Sequence, residues 1–256
     1  MKQEEKNTNV ISMLDRGIQI IEELHRNKAP MGVSELSKST HLSKATVYRI
    51  LYTLEMNHYV VKDKVTEKYS LGIAFIKLGE YVKSTVNINT ISKPYMERLA
   101  TETGETVYLC KRYQNEALIL ETVSGESSAL YSMVTPTIPL YCSALGRVLL
   151  AAMTDAEIEQ YLDSEELEQR TINTRTSREA LIGEVRDVLK NQISVEIEEY
   201  EYGMTCIAAP IYDAGGKIIA SLSASGPSTR IDFKGRKVIM EAVKNICGEI
   251  SSKMAM

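Results

Sequence analysis

Residues 33–72 decide the fold of the N-terminal part of this chain and read VSELSKSTHLSKATVYRILYTLEMNHYVVKDKVTEKYSLG. Two short helices are predicted, the first capped by Ser34 and the second by Ser43, because serine before an apolar-periodic run is a helix start signal. Residues 59–62 and 68–71 then flank a polar turn and predict a two-stranded ribbon. Helix, turn, helix and ribbon in this order are typical of a winged helix-turn-helix.

The second of these helices has the pattern of an element that reads a DNA groove. Its apolar residues recur three or four positions apart and predict one buried face, made of Val47, Ile50, Leu51 and Leu54. The opposite face carries Thr46 and Arg49, which suit base edges, since arginine on guanine is the commonest specific contact. Phosphate contacts are predicted for the remaining polar residues of that face and for the ribbon, namely Ser43, Lys44, Tyr48, Lys62, Lys64 and Lys68. The stretch therefore predicts sequence-specific binding of double-stranded DNA, with binding of another protein as the alternative.

Length and charge fit a regulator in two parts. The chain has 256 residues and a net charge of −4, which argues against general nucleic-acid binding. Residues 1–72 hold 11 Lys and Arg against nine Asp and Glu, a net of +2, whereas residues 73–256 carry −6. No apolar run approaches the roughly 20 residues that span a bilayer, and the polar start has no signal-peptide pattern. We therefore expect a cytoplasmic protein whose N-terminal part alone meets phosphates.

The pattern along the chain predicts four segments: a disordered arm at 1–9, the winged helix-turn-helix at 10–72, a linker helix at 73–87 and a second domain at 88–256. A first helix over 10–26 is predicted, with an apolar stripe of Ile11, Leu14, Ile18, Ile21 and Leu24. The amphipathic linker helix is a natural dimerisation element, and packing on the second domain is the alternative. The next helix is predicted to start at Ile91, with Pro94 in its first turn.

Beyond Gly104 the period changes from that of helices to that of strands. Strands are predicted at 106–110, 117–123, 204–212 and 217–225, with helices at 144–153, 156–162 and 177–191. An α+β domain with an antiparallel sheet is therefore expected.

Catalysis and metal binding find no support in the residue types. The three histidines all lie before residue 59, so a Ser-His or Cys-His pair in the second domain is excluded. The four cysteines are widely scattered and form no CxxC pair, which argues against a zinc site and favours buried thiols. No metal, cofactor or enzymatic activity is predicted.

Four blocks of sequence give the chain a resemblance to the IclR family of transcriptional regulators. They are SMLDRG at 12–17 together with the helix-turn-helix and Leu71-Gly72, YCSALGRVLLA at 141–151, GMTCIAAPI at 203–211, and SLSASGP at 221–227. The resemblance covers nearly the whole chain after residue 10.

The resemblance implies a GAF-like C-terminal domain that binds a small metabolite, often a carboxylate from carbon catabolism. It also implies homodimers joined through the N-terminal part and often paired into dimers of dimers. Transferred by position, the effector-binding residues are Leu130, Ile138, Ala144, Leu145, Glu196, Met204, Cys206, Ser223 and Ser225.

Physical chemistry supports such a pocket independently. The N–H groups of Ala144 and Leu145 begin an apolar helix and suit an anion. Ser223 and Ser225 alternate with apolar residues, so both hydroxyls share one face of a strand, although a solvent-facing edge strand has the same pattern. We expect Arg147 to point to solvent and the bulky Leu145 to narrow the pocket.

These observations predict a ligand-responsive repressor of a carbon-catabolic operon, with a small carboxylate or sugar acid as effector. The alternative is a winged-helix protein that binds other proteins or oligomerises without a small-molecule effector.

Overall fold

The computed structural model describes residues 10–85, 87–125 and 136–255, so the predicted arm at 1–9 and the predicted pocket residue Leu130 lie outside it. The chain divides into two compact units, Met1–Thr85 and Val86–Met256. Among the described residues, no helix combines the length and apolar character that crossing a membrane requires.

The first unit is a winged helix-turn-helix, as predicted. Its elements are α1 (Ser12–Asn27), α2 (Val33–Thr40), α3 (Lys44–Met56), β1 (Val60–Lys62), β2 (Tyr69–Leu71) and α4 (Ala74–Thr85). The antiparallel pair β1–β2 forms the wing. The core contains the predicted face of α3, with Val47 and Leu51 fully buried beside Leu36 of α2. Burial of this face holds the exposed side of α3 towards solvent.

Two local predictions for this unit are wrong. Helix α2 is capped at Gly32 rather than Ser34, because Glu35 at the third helical position accepts the Gly32 N–H at 2.6 Å. The expected stripe of α1 is wrong in its N-terminal part: Leu24 is buried as predicted and Ile21 is partly buried, but the other buried residue is Ile20. Ile11, Leu14 and Ile18 are instead 70, 62 and 49 % exposed.

The second unit is built on a six-stranded sheet with the order β5-β4-β3-β8-β7-β6, antiparallel throughout. The strands are β3 (Thr106–Tyr113), β4 (Glu116–Val123), β5 (Thr137–Pro139), β6 (Ser194–Ile197), β7 (Met204–Tyr212) and β8 (Ile218–Pro227). The four predicted strands are confirmed as β3, β4, β7 and β8, and they pair as β3–β4 and β7–β8. The short outer strands β5 and β6 were not predicted, since three or four residues give too little alternation to recognise.

Helices cover both faces of this sheet. They are α5 (Asn87–Thr103), α6 (Ala144–Leu150), α7 (Asp155–Ser164), α8 (Arg178–Asn191), α9 (Ser228–Lys234) and α10 (Arg236–Met254). One face packs on α5 and α10 and the other on α6, α7 and α8, which gives two separate apolar clusters. The predicted start of α5 is wrong by four residues: Ile88 is buried in the core, so the helix begins at Asn87 and contains Pro94 in its interior.

Candidate DNA-reading surface and effector site

The exposed face of α3 presents the predicted DNA-reading residues. The Ser43 hydroxyl caps the helix by accepting the Thr46 N–H at 3.2 Å, and the hydroxyls of Ser43 and Thr46 lie 2.9 Å apart. Lys44, Tyr48 and Arg49 are exposed along the same helix. Among the described residues, the Arg49 guanidinium has no hydrogen-bond partner, so its donors are available to an acceptor outside the chain.

The wing places its lysines at and beside the turn, as predicted. Asp63 holds that turn, because its Oδ1 accepts the N–H groups of Val65 and Thr66 at 2.8 and 2.7 Å. Lys62 is paired with Glu67, and Lys68 Nζ lies 3.0 Å from Glu35 Oε1. Lys64 makes no ion pair within the described part of the chain.

In the second unit, mostly polar side chains line one face of four neighbouring strands, β3, β8, β7 and β6. The register aligns them in two rows, one of Thr106, Ser225, Cys206 and Glu196, and one of Tyr108, Ser223, Ala208 and Ser194. Residues directly opposite in a ladder project from the same face. Because β8 is a central strand, Ser223 and Ser225 are buried, which excludes the edge-strand alternative.

Helix α6 begins directly over this polar face. The Ser143 hydroxyl caps the helix by accepting the Gly146 N–H at 3.0 Å. The Ser225 hydroxyl donates to Cys206 Sγ at 3.0 Å and lies 3.3 Å from the Ser223 hydroxyl. Burial raises the pKa of Cys206 to about 11 and Glu196 adds to this, while hydrogen bonds from both serines and the Leu145 N–H oppose it. The Cys206 thiol is therefore neutral, and three other predicted effector residues, Leu145, Ser223 and Ser225, form hydrogen bonds with it.

Glu196 is the carboxyl group of this cluster. It is 2 % exposed, and its Oε1 accepts the N–H groups of Glu199 and Tyr200 at 2.5 and 3.1 Å. Burial raises the pKa of Glu196 to about 7; the two N–H groups lower it, the Glu199 carboxylate raises it, and Arg147 lowers it. Near neutral pH this carboxyl group exchanges between an acceptor and a neutral donor.

Arg147 does not point to solvent, which corrects the prediction for it. Its side chain is fully buried, its Nε donates to the Tyr141 carbonyl at 3.3 Å, and its guanidinium pairs with Glu199 and Glu184. Arg175 Nη1 lies 2.7 Å from Glu199 Oε1 and joins the same network. The network fixes the β6–β7 loop beside Glu196, because a buried charge must be paired.

The remaining predicted residues occupy the apolar border. Ile138, Ala144 and Leu145 are buried in the cluster between α6 and the sheet. Met204 shares the face of Cys206 one row further out and is only half-buried, so it lies outside that cluster. Whether these residues contact an effector stays a prediction.

Sequence reasoning missed part of the polar face. Ser221 continues the Ser223–Ser225 alternation on β8, and Ser194 lies two residues before Glu196 on β6. Both hydroxyls are buried without a hydrogen-bond partner in the described structure. The period of two in 221–225 contains the signal for Ser221, whereas Ser194 is recognisable only from the pairing of β6 with β7.

A winged helix-turn-helix joined to a GAF-like α+β unit with a polar face under a helix defines a DNA-binding regulator with a ligand-sensing domain. The models of the "Bacterial transcriptional regulator IclR C-terminal" and "IclR helix-turn-helix" domains match residues 80–252 and 13–64. This chain belongs to the IclR family. The family consists of transcriptional regulators, and the chain is not an enzyme.

Individual relatives cover almost the whole chain. The HTH-type transcriptional regulator KdgR of Escherichia coli is 32 % identical over 88 % of this chain and 86 % of its own length. The DNA-binding transcriptional repressor YiaJ of the same organism is 28 % identical over 99 % of this chain and 92 % of its own length. An IclR homologue of Microbacterium hydrocarbonoxydans, crystallised with 4-hydroxybenzoate, shares the fold with a TM-score of 0.77 at 22 % identity, covering 94 and 98 %.

Proposed function

We propose that this chain is a ligand-responsive repressor of a carbon-catabolic operon, which binds its operator as a homodimer and responds to a small carboxylate or sugar acid. The observation that carries the proposal is the convergence of Ser223, Ser225, Cys206 and the Leu145 N–H under the start of α6. Hydroxyls and a backbone N–H are donors that suit a carboxylate, and the buried apolar border excludes water. The repressor role is supported by the similarity to YiaJ, a DNA-binding transcriptional repressor, and the ligand class by the 4-hydroxybenzoate complex of a protein with this fold.

The homodimer is supported by apolar surface on the first unit. Ile11, Leu14 and Ile18 are exposed on α1, and Ile73, Ile76 and Leu78 are exposed at and along α4. Several exposed apolar side chains on one helix indicate a protein contact. A two-fold partner would place a second α3 in the next major groove of a near-palindromic operator, and pairing of two dimers would give a tetramer.

Effector binding is tested by thermal shift of the purified protein against a panel of small carboxylates and sugar acids. A ligand that binds the folded state raises the unfolding temperature by mass action. We expect Ser225→Ala and Ser223→Ala to abolish the shift of any hit, whereas Ser252→Ala, on the exposed face of α10, keeps it. A ligand that gives the same thermal shift with Ser225→Ala and Ser223→Ala as with the native protein contradicts the assigned site.

DNA binding is tested with an operator selected from a random duplex library. We expect Arg49→Ala to weaken operator binding about ten-fold or more and to relax the preference at one base, as a lost bidentate base contact does. Arg26→Ala removes the same charge from the exposed end of α1 and serves as the control. Equal losses of operator affinity in both variants would show that Arg49 does not contact a base.

The alternative function is a winged-helix protein that binds other proteins or oligomerises without an effector. The steepness of DNA affinity against salt separates the two, because phosphate contacts release counterions and protein contacts do not.

A further inference from the structure

Two of the three wing lysines are held by carboxylates of the same unit. Lys62 pairs with Glu67 across the base of the wing turn, and Lys68 Nζ lies 3.0 Å from Glu35 Oε1 of α2. The two glutamate side chains are 68 and 51 % exposed, so the pairs lie at the surface where a duplex would contact the wing. Lys64 alone makes no ion pair within the described residues.

Each glutamate is held near its lysine by the backbone. Glu35 Oε2 accepts the Gly32 N–H at 2.6 Å, which leaves Oε1 for Lys68. This N–H first, and Lys68 second, hold the pKa of Glu35 below its ordinary value, so the carboxylate stays charged. The Glu67 N–H donates to the Asp63 carbonyl at 2.9 Å within the turn that Asp63 caps. The Glu35 carboxylate and the backbone of Glu67 are therefore both held beside the wing lysines.

We propose that Glu35 and Glu67 compete with DNA phosphates for Lys68 and Lys62 and so set the affinity of the wing for any duplex. This inference rests on the proposed function. A phosphate that binds either lysine must displace its carboxylate or bind beside it, and in both cases a carboxylate then lies close to a polyanion. Phosphate contacts carry no sequence information, so the reduction in affinity is the same for operator and random DNA. The effect lowers the affinity for every duplex and leaves the ratio of operator affinity to random-DNA affinity unchanged.

The test measures the affinity of the full chain for a random-sequence duplex by fluorescence anisotropy. Glu67→Gln and Glu35→Gln remove the charges; glutamine keeps the capping box of α2. We expect each to raise affinity about two- to five-fold at roughly 0.1 M salt, in line with the strength of exposed ion pairs. The ratio of variant to native affinity falls towards one at high salt, because screening weakens the ion pairs. Glu22→Gln, an exposed α1 carboxylate without an ion pair in the described residues, controls for total charge and leaves affinity nearly unchanged.

A second variant separates competition from long-range charge. In a Lys62→Gln background, Glu67→Gln has no lysine to release, so its gain disappears. A gain that persists there, or one matched by Glu22→Gln, overturns the inference while native DNA binding leaves the proposed function intact. If neither the native chain nor the glutamine variants bind any duplex, the proposed function fails and the inference fails with it.

Discussion

Replacing Glu196 by glutamine is expected to make the second unit more stable than the native one as pH rises. Its carboxyl group is buried beside Glu199, Arg147, Cys142 and Cys206, and burial raises its pKa from 4.5 to about 7. The folded state then holds a proton that the unfolded chain releases. That contribution is fully present below the unfolded pKa and is lost as pH rises through the folded pKa.

The magnitude follows from these two pKa values. Linkage gives a loss of roughly 2 kcal/mol in the native unfolding free energy between pH 5.5 and 8, since each pKa unit corresponds to about 1.4 kcal/mol. Glutamine accepts the same two N–H groups without a charge and does not incur this loss. For a unit of this size, the unfolding temperature of the variant relative to the native chain rises by about 4–8 °C over that range.

The assay is calorimetric unfolding of both proteins at pH steps between 5.5 and 8, following the transition of the second unit. Glu201→Gln, exposed in the same loop, is the matched control and should parallel the native protein. The reasoning is refuted if the unfolding temperatures of the native protein and Glu196→Gln change with pH in parallel across this range, because no other titrating group is changed.

Two further outcomes follow from the packing. Arg147→Met is expected to destabilise the second unit by about 3–5 kcal/mol because it leaves Glu199 buried without its main partner; thermal unfolding measures this, and adding Glu199→Gln should restore part of the loss. Leu14→Asp is expected to shift the chain from dimer to monomer in sedimentation velocity, since a charge in an apolar interface is strongly unfavourable. Val65→Asp, 92 % exposed on the wing, should leave the oligomeric state unchanged, and equal behaviour of the two variants contradicts the assigned surface.

Elements with a strong local signal were predictable. The face of α3 follows from the spacing of Val47, Ile50 and Leu51, and the cap at Ser43 follows from its position before that run. The pair β7–β8 follows from two long apolar runs around a glycine turn. The start of α2 was not predictable, because Gly32 caps the helix only with the help of Glu35 three residues later.

Some residues of the candidate site were likewise predictable from the sequence, and others were not. Family blocks point to Ser223, Ser225 and Cys206, and the alternation on β8 places both hydroxyls on one face without any structure. The neighbouring residues on β3 and β6 cannot be predicted in this way. Strand β3 reaches this face by pairing with β8 more than 100 positions along the chain, and Ser194 of β6 pairs with Ala208, 14 positions away. Thr106, Tyr108 and Ser194 therefore became visible only with the strand order.

The sequence by itself determined the winged helix-turn-helix, the α+β class of the second unit and the family, since periodicity, caps and blocks of residues are local properties of the chain. Only the tertiary structure decided that Arg147 is buried against Glu199, that Glu196 titrates near neutral pH, and that α1 exposes its N-terminal apolar stripe. Burial and charge pairing depend on which distant segments meet, and an arginine or an isoleucine has the same local pattern whether its partner is water, a carboxylate or a second chain.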